Sequence, residues 1–386
     1  MVEYSENAGM NVVHPLGTAT DVLGDDPAYL STQLITCIGN KRALLRPIGA
    51  GLDQARASLG QERISFLDLF SGSGIVSRYA RQWCRSILAN DLERYSEITN
   101  SCYLANRETV LGHHLENYLR ELQDVIRENW APGFIAELYA PRSDDRIFPG
   151  ERVFYTRRNA IYLDTARQAI AMLPAPIQTY FLGPLVAQAS VHTNTAGVFK
   201  GFYKNEDGIG QFGGRGRHAL SRILRDIELT LPVLSDHVCP ATVTRMDANE
   251  LVRSTDRVDI AYVDPPYNQH PYGSNYFMLN LLCDYRRPDR ISQVSGIPAD
   301  WNRSRYNRRQ DAGDALFDLI DACPARFVLL SYNSEGFIGR ESFLANLKRF
   351  GRTRVTDVRY NTFRGSRNLG SRDMHVTEHL FLLDKR

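Results

Sequence analysis

The six cysteines of this 386-residue chain never stand two residues apart as a Cys-x-x-Cys pair, and this scatter argues against a zinc site or a disulfide framework. We therefore predict that the protein binds no metal and resides in a reducing cytoplasm. No apolar run approaches the roughly 18–20 residues that span a bilayer, so we predict no membrane partner. The first twenty residues lack a basic start followed by an apolar core, which predicts no secretory signal.

The chain also has little net charge. Its 46 Lys and Arg residues are opposed by 44 Asp and Glu residues, which leaves +2. This balance excludes a histone-like polycation, but it allows a nucleic-acid enzyme whose basic residues gather on one face. Hydrophobic residues at 43% and charged residues at 23% exclude wholesale disorder. The length supports two domains, or one large domain with an insert.

Strand and helix patterns alternate near the start of the chain, which predicts an α/β fold. An apolar run at 63–70, a helix at 75–84 and a second strand at 86–91 make one βαβ unit. A helix at 44–59 precedes them, with Pro47 tolerable in its first turn.

The middle of the chain interrupts this alternation with helical patterns, among them 115–129 and 159–172. Strand patterns return after residue 240, and 352–360 with 375–383 predict a C-terminal hairpin around a basic loop. The simplest organisation is one α/β domain split by a mostly helical insert. The predicted divisions are an N-terminal arm at 1–30, a first domain part at 31–107, an insert at 108–234 and a second domain part at 235–386.

A glycine turn, Asp68-Leu-Phe-Ser-Gly-Ser-Gly74, follows the first strand. Glycines between a strand and a helix let the backbone approach a ligand closely. A dinucleotide fingerprint would need a third glycine where Ser77 stands, so a nicotinamide enzyme is disfavoured. Asp91, at the end of the next strand, suits a ribose diol. The carboxylate of Asp68 suits an amine better than a phosphate, which favours S-adenosylmethionine as cofactor over a nucleotide polyphosphate.

The strongest motif is Asp264-Pro265-Pro266-Tyr267, which directly follows an apolar strand. The two prolines fix the backbone and remove two N–H donors, so their carbonyls remain as fixed acceptors. An exocyclic amino group on a purine could donate its two N–H groups to Asp264 and to the Pro265 carbonyl, which would make the nitrogen more nucleophilic. Tyr267 could stack on the base, a contact that contributes roughly 1–3 kcal/mol.

These motifs resemble the DNA adenine methyltransferases that carry an Asp-Pro-Pro-Tyr motif, a group that includes the Dam enzymes and many restriction–modification methylases. The resemblance covers most of residues 34–383 and implies a Rossmann-like class I methyltransferase sheet. The order of the motifs is that of the alpha group, which implies that the insert at 108–234 is the target recognition domain. A restriction–modification methylase also has a cognate restriction endonuclease as a partner.

The resemblance further implies roles for single residues. Residues 34–45 are similar to the N-terminal cofactor motif, which places Lys41 near S-adenosylmethionine. Asp247 stands where the family's acid meets the cofactor adenine. The residues implied in cofactor binding are therefore Lys41, Asp68, Phe70, Gly72, Gly74, Asp91 and Asp247. Segments 191–200 and 268–276 also resemble one branch of the family.

Basic residues concentrate in three runs, at 200–225, 286–309 and 352–372. Arginine predominates, and its planar fork suits bidentate contacts to phosphate or guanine. Next to a base-binding motif, these runs predict contacts to DNA. The predicted nucleic-acid-binding residues are Lys200, Arg215, Arg217, Asn275, Arg303, Arg305, Arg364 and Arg367.

We therefore predict an S-adenosylmethionine-dependent transfer of a methyl group to adenine N6 in double-stranded DNA. The target base would have to flip out of the duplex to reach the methyl donor. Methylation of cytosine N4, of RNA adenine or of a protein glutamine remain alternatives with similar chemistry. A different class is a catalytically inactive DNA-binding regulator. The predicted location is the cytoplasm, at the nucleoid.

Overall fold

The computed structural model describes residues 12–13, 25–36, 39–214, 216–217, 219–361 and 375–385. Within these residues one mixed sheet runs through the molecule. Its strands are β1 (Val12–Val13), β2 (Ile64–Asp68), β3 (Cys84–Asn90), β4 (Ala241–Thr244), β5 (Val258–Val263), β6 (Ala325–Asn333), β7 (Gly351–Asn361) and β8 (His375–Lys385).

Fifteen α-helices accompany the sheet in the described part of the chain. They are α1 (Pro27–Ser31), α2 (Leu45–Leu59), α3 (Ile75–Ala80), α4 (Arg94–Tyr103), α5 (Arg107–Leu111), α6 (Leu115–Glu128), α7 (Phe134–Tyr139), α8 (Arg157–Ala171), α9 (Ala175–Val191), α10 (Leu220–Leu224), α11 (Ala248–Ser254), α12 (Tyr272–Asn275), α13 (Phe277–Asp284), α14 (Ala312–Ala322) and α15 (Arg340–Leu347).

The strand order is β1-β7-β8-β6-β5-β2-β3-β4. All neighbours pair in parallel except β8, which is antiparallel to both β6 and β7. The chain moves outward from β2 to β3 and β4, and then returns to place β5 on the other side of β2. The order therefore reverses at β2, and the crevice beyond the carboxyl ends of β2 and β5 is where such sheets bind ligands.

Alternate residues of the central strands pack into two cores, one on each face of the sheet. On β5, Ile260 and Tyr262 face a core that includes α2, whereas Ala261 and Val263 face a core that includes α11 and α14. A strand buried on both faces reads as a continuous apolar run, which is why the sequence before Asp264 predicts a strand so clearly.

A third core joins helices of the middle segment to helices that come from the α/β part. Helices α6 to α9 share it with α4 and α13. Gly183 of α9 packs against Cys102 of α4 so closely that a β-carbon would overlap the cysteine sulfur. The helical segment is thus anchored on the α/β part by buried apolar surface, which contributes about 25 cal/mol per Å².

The predicted α/β class with a Rossmann-like sheet is confirmed, and so are the individual strand predictions. Helices predicted at 115–129 and 159–172 occur as α6 and α8, and α2 holds Pro47 in its first turn. The predicted arm falls largely outside the described residues, as does the basic loop at 362–374 of the C-terminal hairpin. The domain boundaries stay a prediction. Among the described residues, no helix has the length and hydropathy to cross a membrane.

Candidate active site

A pocket opens at the carboxyl ends of β2, β3 and β5, where the strand order reverses. The open space, including its mouth, is about 940 Å³. It lies beside the glycine turn after β2 and the Asp-Pro-Pro-Tyr motif after β5. Residues that line it include Lys41, Asp68, Phe70, Gly72, Asp91, Glu93, Met246, Asp247, Asp264, Pro266, Tyr272, Asn302 and Tyr306.

The glycine turn has the backbone that its sequence predicts. Gly72 and Gly74 have φ values of 52° and 73°, in the left-handed region that favours glycine. A β-carbon on Gly74 would collide with the side-chain oxygen of Asn100. The Asn100 amide in turn donates to the hydroxyl of Ser71 at 3.1 Å. The turn is therefore fixed against α4, and Gly72 lines the pocket with no side chain of its own.

Asp68 ends β2 with a carboxylate that is only half satisfied. The hydroxyl of Ser77 donates to Asp68 Oδ2 at 2.6 Å, whereas Asp68 Oδ1 is buried without a hydrogen-bond partner. Burial raises the pKa of Asp68 to about 7, against the opposing effect of the Ser77 hydrogen bond. Ser77 stands where a dinucleotide site would have glycine, and here its hydroxyl orients the acid. A cationic ligand group in this pocket would satisfy the free oxygen.

Two more acids follow β3. Asp91 Oδ2 accepts the Gly72 N–H at 2.8 Å and Oδ1 accepts the Glu93 N–H at 3.0 Å. Glu93 is buried, and its carboxylate accepts from the amides of Asn280 on α13 and of Asn302 at 3.0 Å. Burial raises the pKa of Glu93 to about 7 and also raises the pKa of Asp91. Glu93 therefore ties three separate segments to the rim of the pocket.

Lys41 lies between two carboxylates. Its ammonium is 3.0 Å from Asp264 Oδ1 and 3.2 Å from Glu378 Oε1, and it donates to the Gly39 carbonyl at 3.2 Å. Burial favours the neutral amine, but the two carboxylates outweigh it and raise the pKa of Lys41 well above its usual value. Burial raises the pKa of Asp264 to about 7, Lys41 opposes this effect and Glu378 adds to it.

The Asp-Pro-Pro-Tyr motif contains two hydrogen-bond acceptors that receive no hydrogen bond from the described residues. Lys41 engages only Oδ1 of Asp264, and no group of the described chain bonds to Oδ2. The Pro265 carbonyl likewise receives no hydrogen bond from a described residue. The Tyr267 carbonyl accepts the Phe337 N–H at 3.0 Å, which anchors the end of the motif. Two acceptors on a fixed backbone thus stand together beside an aromatic ring.

The remaining predicted cofactor residues also lie at the pocket. Phe70 packs its ring edge-to-face on Tyr306, with centroids 5.1 Å apart. Asp247 caps the amino terminus of α11 by accepting the N–H of Asn249 at 2.9 Å. The structure therefore brings six of the seven predicted cofactor residues to the lining of one crevice, and Gly74 follows Ser73 of that lining in the same turn. Their roles toward a cofactor stay a prediction.

The predicted nucleic-acid-binding residues are placed less uniformly. Arg303 and Arg305 are exposed on the loop that lines the pocket with Asn302, and Arg303 stacks on Trp301 at 4.4 Å. Lys200 is exposed and its charge lowers the pKa of His270, after the larger effect of burial. Asn275 is only 3% exposed, and its carbonyl accepts the Phe199 N–H at 2.7 Å. Asn275 is thus placed to hold segments 191–200 and 268–276 together.

Arg217 is exposed, with a φ of 48°, and borders a shallow surface recess rather than the pocket. Arg215, Arg364 and Arg367 lie outside the described residues. Not every arginine of the basic runs is available to a partner. Arg222 donates to the backbone carbonyls of Val191 and Thr193, and Arg287 pairs with both carboxylate oxygens of Glu137.

Comparisons with known proteins identify the family. A family model described as D12 class N6 adenine-specific DNA methyltransferase matches residues 38–294, more than half of the chain. The chain belongs to this family. It is an adenine-specific DNA methyltransferase.

Curated relatives of this methyltransferase carry related names. It is 28% identical over 82% of its length to the type II methyltransferase M.CviAII of Paramecium bursaria Chlorella virus 1, and covers 89% of that protein. It is 26% identical over 83% of its length to M.NlaIII of Neisseria lactamica, and covers 90% of it. The modification methylase StsI of Streptococcus sanguinis is 27% identical over 90% of this chain, which spans 52% of that longer protein.

A crystal structure of a Thermoplasma acidophilum protein aligns with 88% of the methyltransferase and 89% of its own chain, at 9% identity and a TM-score of 0.31. This likeness is too distant to bear on fold or function. Among the described residues of the methyltransferase, no group of three or more His, Cys, Asp or Glu side chains is arranged to hold a metal ion.

Sequence reasoning missed two acids of this methyltransferase, Glu93 and Glu378. Glu378 stands on β8 between Thr377 and His379, just before the apolar run at 380–383, and is fully buried. Its polar neighbours give no sign of this burial, so the local sequence pattern offered no signal. Glu93 stands two residues beyond Asp91, and the pattern there does not distinguish a second pocket acid from a helix cap.

Proposed function

We propose that this methyltransferase transfers the methyl group of S-adenosylmethionine to adenine N6 in double-stranded DNA, after flipping the target base into the pocket. The observation that carries the proposal is the pairing of two sites in one crevice. One is the unpartnered oxygen of Asp68, and the other is the pair of open acceptors on Asp264 and Pro265.

The pocket fits the amino acid part of the cofactor at Asp68. A buried carboxylate oxygen without a partner is costly, and an ammonium group would satisfy it with a charge-assisted hydrogen bond. Asp91 and Glu93 lie beside it, where they would accept from ribose hydroxyls. Phe70 and Asp247 border the remaining space, where they would meet the adenine ring and its amino group.

When bound, S-adenosylmethionine supplies a methyl group on a sulfonium, an electrophile that needs no metal. Asp264 and the Pro265 carbonyl would accept the two N–H groups of adenine N6 and so aim its lone pair into the pocket. The N6–C bond forms as the C–S bond breaks. The N6 nitrogen then gives up one proton, and Asp264 is placed to receive it. The contribution of these residues is positioning and electrostatics.

The rim of the pocket suits a DNA backbone. Arg303 and Arg305 project from the loop whose Asn302 and Tyr306 line the pocket, and Lys200 lies near His270 on the neighbouring loop. Phosphate contacts there would hold the duplex while the base leaves the stack. The helical segment at 108–234 would then serve as the target recognition domain.

The names of the relatives also support a biological setting. Type II methyltransferases and modification methylases protect DNA, so we propose a cognate restriction endonuclease as a functional partner and the bacterial or viral host cytoplasm as the site of action. Purified endonuclease encoded beside this chain should fail to cut DNA that this methyltransferase has modified.

The direct test uses labelled S-adenosylmethionine with duplex DNA, single-stranded DNA and RNA, followed by digestion to nucleosides. We expect label in N6-methyladenine from duplex DNA. Label in N4-methylcytosine would show that cytosine is the substrate, and label in RNA alone would show that RNA is the substrate. Either result would contradict the proposal. Tight DNA binding without label would indicate an inactive regulator.

A further inference from the structure

Glu378 belongs to the charged group around Asp264, and the proposed reaction assigns it no role. It lies on β8 with its side chain fully buried. The Lys41 ammonium bridges Glu378 Oε1 and Asp264 Oδ1, at 3.2 Å and 3.0 Å. A fully buried carboxylate is costly unless several donors satisfy it, so its presence at this position calls for a role.

The carboxylate of Glu378 is fixed from both neighbouring strands. Ser331 and Asn333 on β6 donate to its two oxygens, and the Tyr360 hydroxyl on β7 lies 3.4 Å from Oε2. The antiparallel register places Asn333 directly opposite Glu378. Donors from β6, from β7 and from Lys41 thus surround the Glu378 carboxylate and fix its orientation.

Lys41 is fixed in turn. A lysine ammonium has three N–H donors, and those of Lys41 are directed to Asp264, Glu378 and the Gly39 carbonyl. Gly39 itself has a φ of 79°, in the left-handed region that favours glycine. Removing the Glu378 charge would take away one of the three acceptors that fix the ammonium, so that only Asp264 and the Gly39 carbonyl would set its position.

We propose that Glu378 is a positioning residue for methyl transfer, which holds Lys41 against Oδ1 of Asp264 so that Oδ2 faces the adenine amino group. This inference rests on the proposed function. Glu378 touches neither the base nor the cofactor in this arrangement, and it acts through the position of Lys41 and through its charge near Asp264.

Charge removal at Glu378 has a second consequence. The charged groups near Asp264 are Lys41, Glu378 and, across the pocket, Asp68. The tyrosines at positions 262, 267 and 360 adjoin them. Since Glu378 raises the pKa of Asp264, its replacement by a neutral residue lowers that pKa. The kcat of such a variant should then begin to fall only at a lower pH than the kcat of wild type. Its maximum kcat should still be smaller than that of wild type.

The test compares wild type with Glu378→Gln, which keeps the shape and removes the charge. We expect kcat for DNA methylation to fall at least about tenfold, the KM for S-adenosylmethionine to change less than about threefold, and the acid limb of the kcat profile to move to lower pH. The matched control is Glu341→Gln, an exposed carboxylate in the first turn of α15. It should leave kcat unchanged.

A Glu378→Gln enzyme that folds, with wild-type kcat and an unmoved acid limb, would overturn the proposal. If that variant does not fold, the double variant Ser331→Ala, Tyr360→Phe keeps the charge and loosens the carboxylate. It should lower kcat severalfold with the acid limb in place, and wild-type kcat there would overturn the proposal equally. Failure of wild type to methylate DNA would instead contradict the proposed function.

Discussion

The Lys41 ammonium lies 3.0 Å from Asp264 Oδ1, although Lys41 precedes α2 and Asp264 follows β5. This ion pair joins the N-terminal cofactor motif to the catalytic motif. It leaves one positive charge between two buried carboxylates, because Glu378 shares the same ammonium. The excess negative charge is one reason why the pKa of Asp264 is raised, after the larger effect of burial.

Replacing Lys41 with alanine should therefore destabilise the protein in a pH-dependent way. Asp264 and Glu378 would then lack a counter-charge, and such a loss costs about 3–5 kcal/mol at pH 8. The loss should shrink at pH 6, because Asp264, whose pKa is about 7, can then take up a proton. Denaturant unfolding at the two pH values measures this difference, with the exposed Lys348→Ala as the control. A loss below about 1 kcal/mol at pH 8 would show that the pair is not structural.

Asp68→Asn should weaken the binding of S-adenosylhomocysteine, which keeps the amino acid part of the cofactor. Loss of a charge-assisted hydrogen bond of about 1.5–3 kcal/mol predicts a roughly 10- to 150-fold weaker affinity at pH 8. Since the pKa of Asp68 is about 7, wild-type affinity should fall as the pH drops below 7, and the variant should not follow. Calorimetric titration across this range, with the exposed Asp321→Asn as control, tests it. A pH-independent difference would exclude Asp68 as the acid.

The raised pKa of Asp68 also predicts how the stability of the ligand-free protein changes with pH. The pKa of Asp68 is higher in the folded protein than in the unfolded chain, so its contribution is fully present at low pH and is lost as the pH rises through about 7. The melting temperature of wild type relative to Asp68→Asn should decrease from pH 5 to pH 8. An increase over that window would show that the folded protein favours the charged carboxylate.

Arg303→Ala should weaken the binding of duplex DNA of any sequence and reduce its dependence on salt. Loss of one phosphate contact lowers the slope of log K against log salt by about 1. Arg349→Ala is the matched control, because Arg349 is exposed just before β7, at the edge of the sheet opposite the pocket. If log K falls equally steeply with log salt in both variants, the loop that carries Arg303 does not contact the DNA backbone.

Tyr267→Ala should lower kcat/KM for DNA by roughly 5- to 150-fold, the equivalent of the 1–3 kcal/mol that base stacking contributes. Tyr267→Phe keeps the ring and should stay within a few-fold of wild type, because the hydroxyl has no assigned role in transfer. Steady-state methylation assays with both variants provide the comparison. Equal activities of the alanine and phenylalanine variants would exclude stacking at this position.

Sequence reasoning predicted the parts of the site that lie at strand ends. Asp68 and Asp264 each follow an apolar run that can only be a buried strand, and parallel strands bring their carboxyl ends to one edge. The βαβ unit and the C-terminal hairpin follow from the same local patterns. These features depend on residues that are close in sequence or on a fixed rule of sheet topology.

Contacts across distant segments could not be predicted in this way. The position of Glu378 beneath Lys41 depends on the antiparallel register of β8 against β6, which local patterns do not specify. The Glu93 contacts with Asn280 and Asn302 depend on how α13 and the following loop pack on the sheet. Asn275 has the polar side chain typical of a DNA contact, yet it is buried, and its carbonyl accepts the Phe199 N–H.

The most direct single measurement is methylation-sensitive sequencing of DNA from a host that lacks its own adenine methylation and expresses this chain. We expect N6-methyladenine at nearly every copy of one short sequence in cells with the wild type, and none in cells with Asp264→Ala. Methylated cytosine, or no modified base despite folded and abundant protein, would contradict transfer to adenine in DNA.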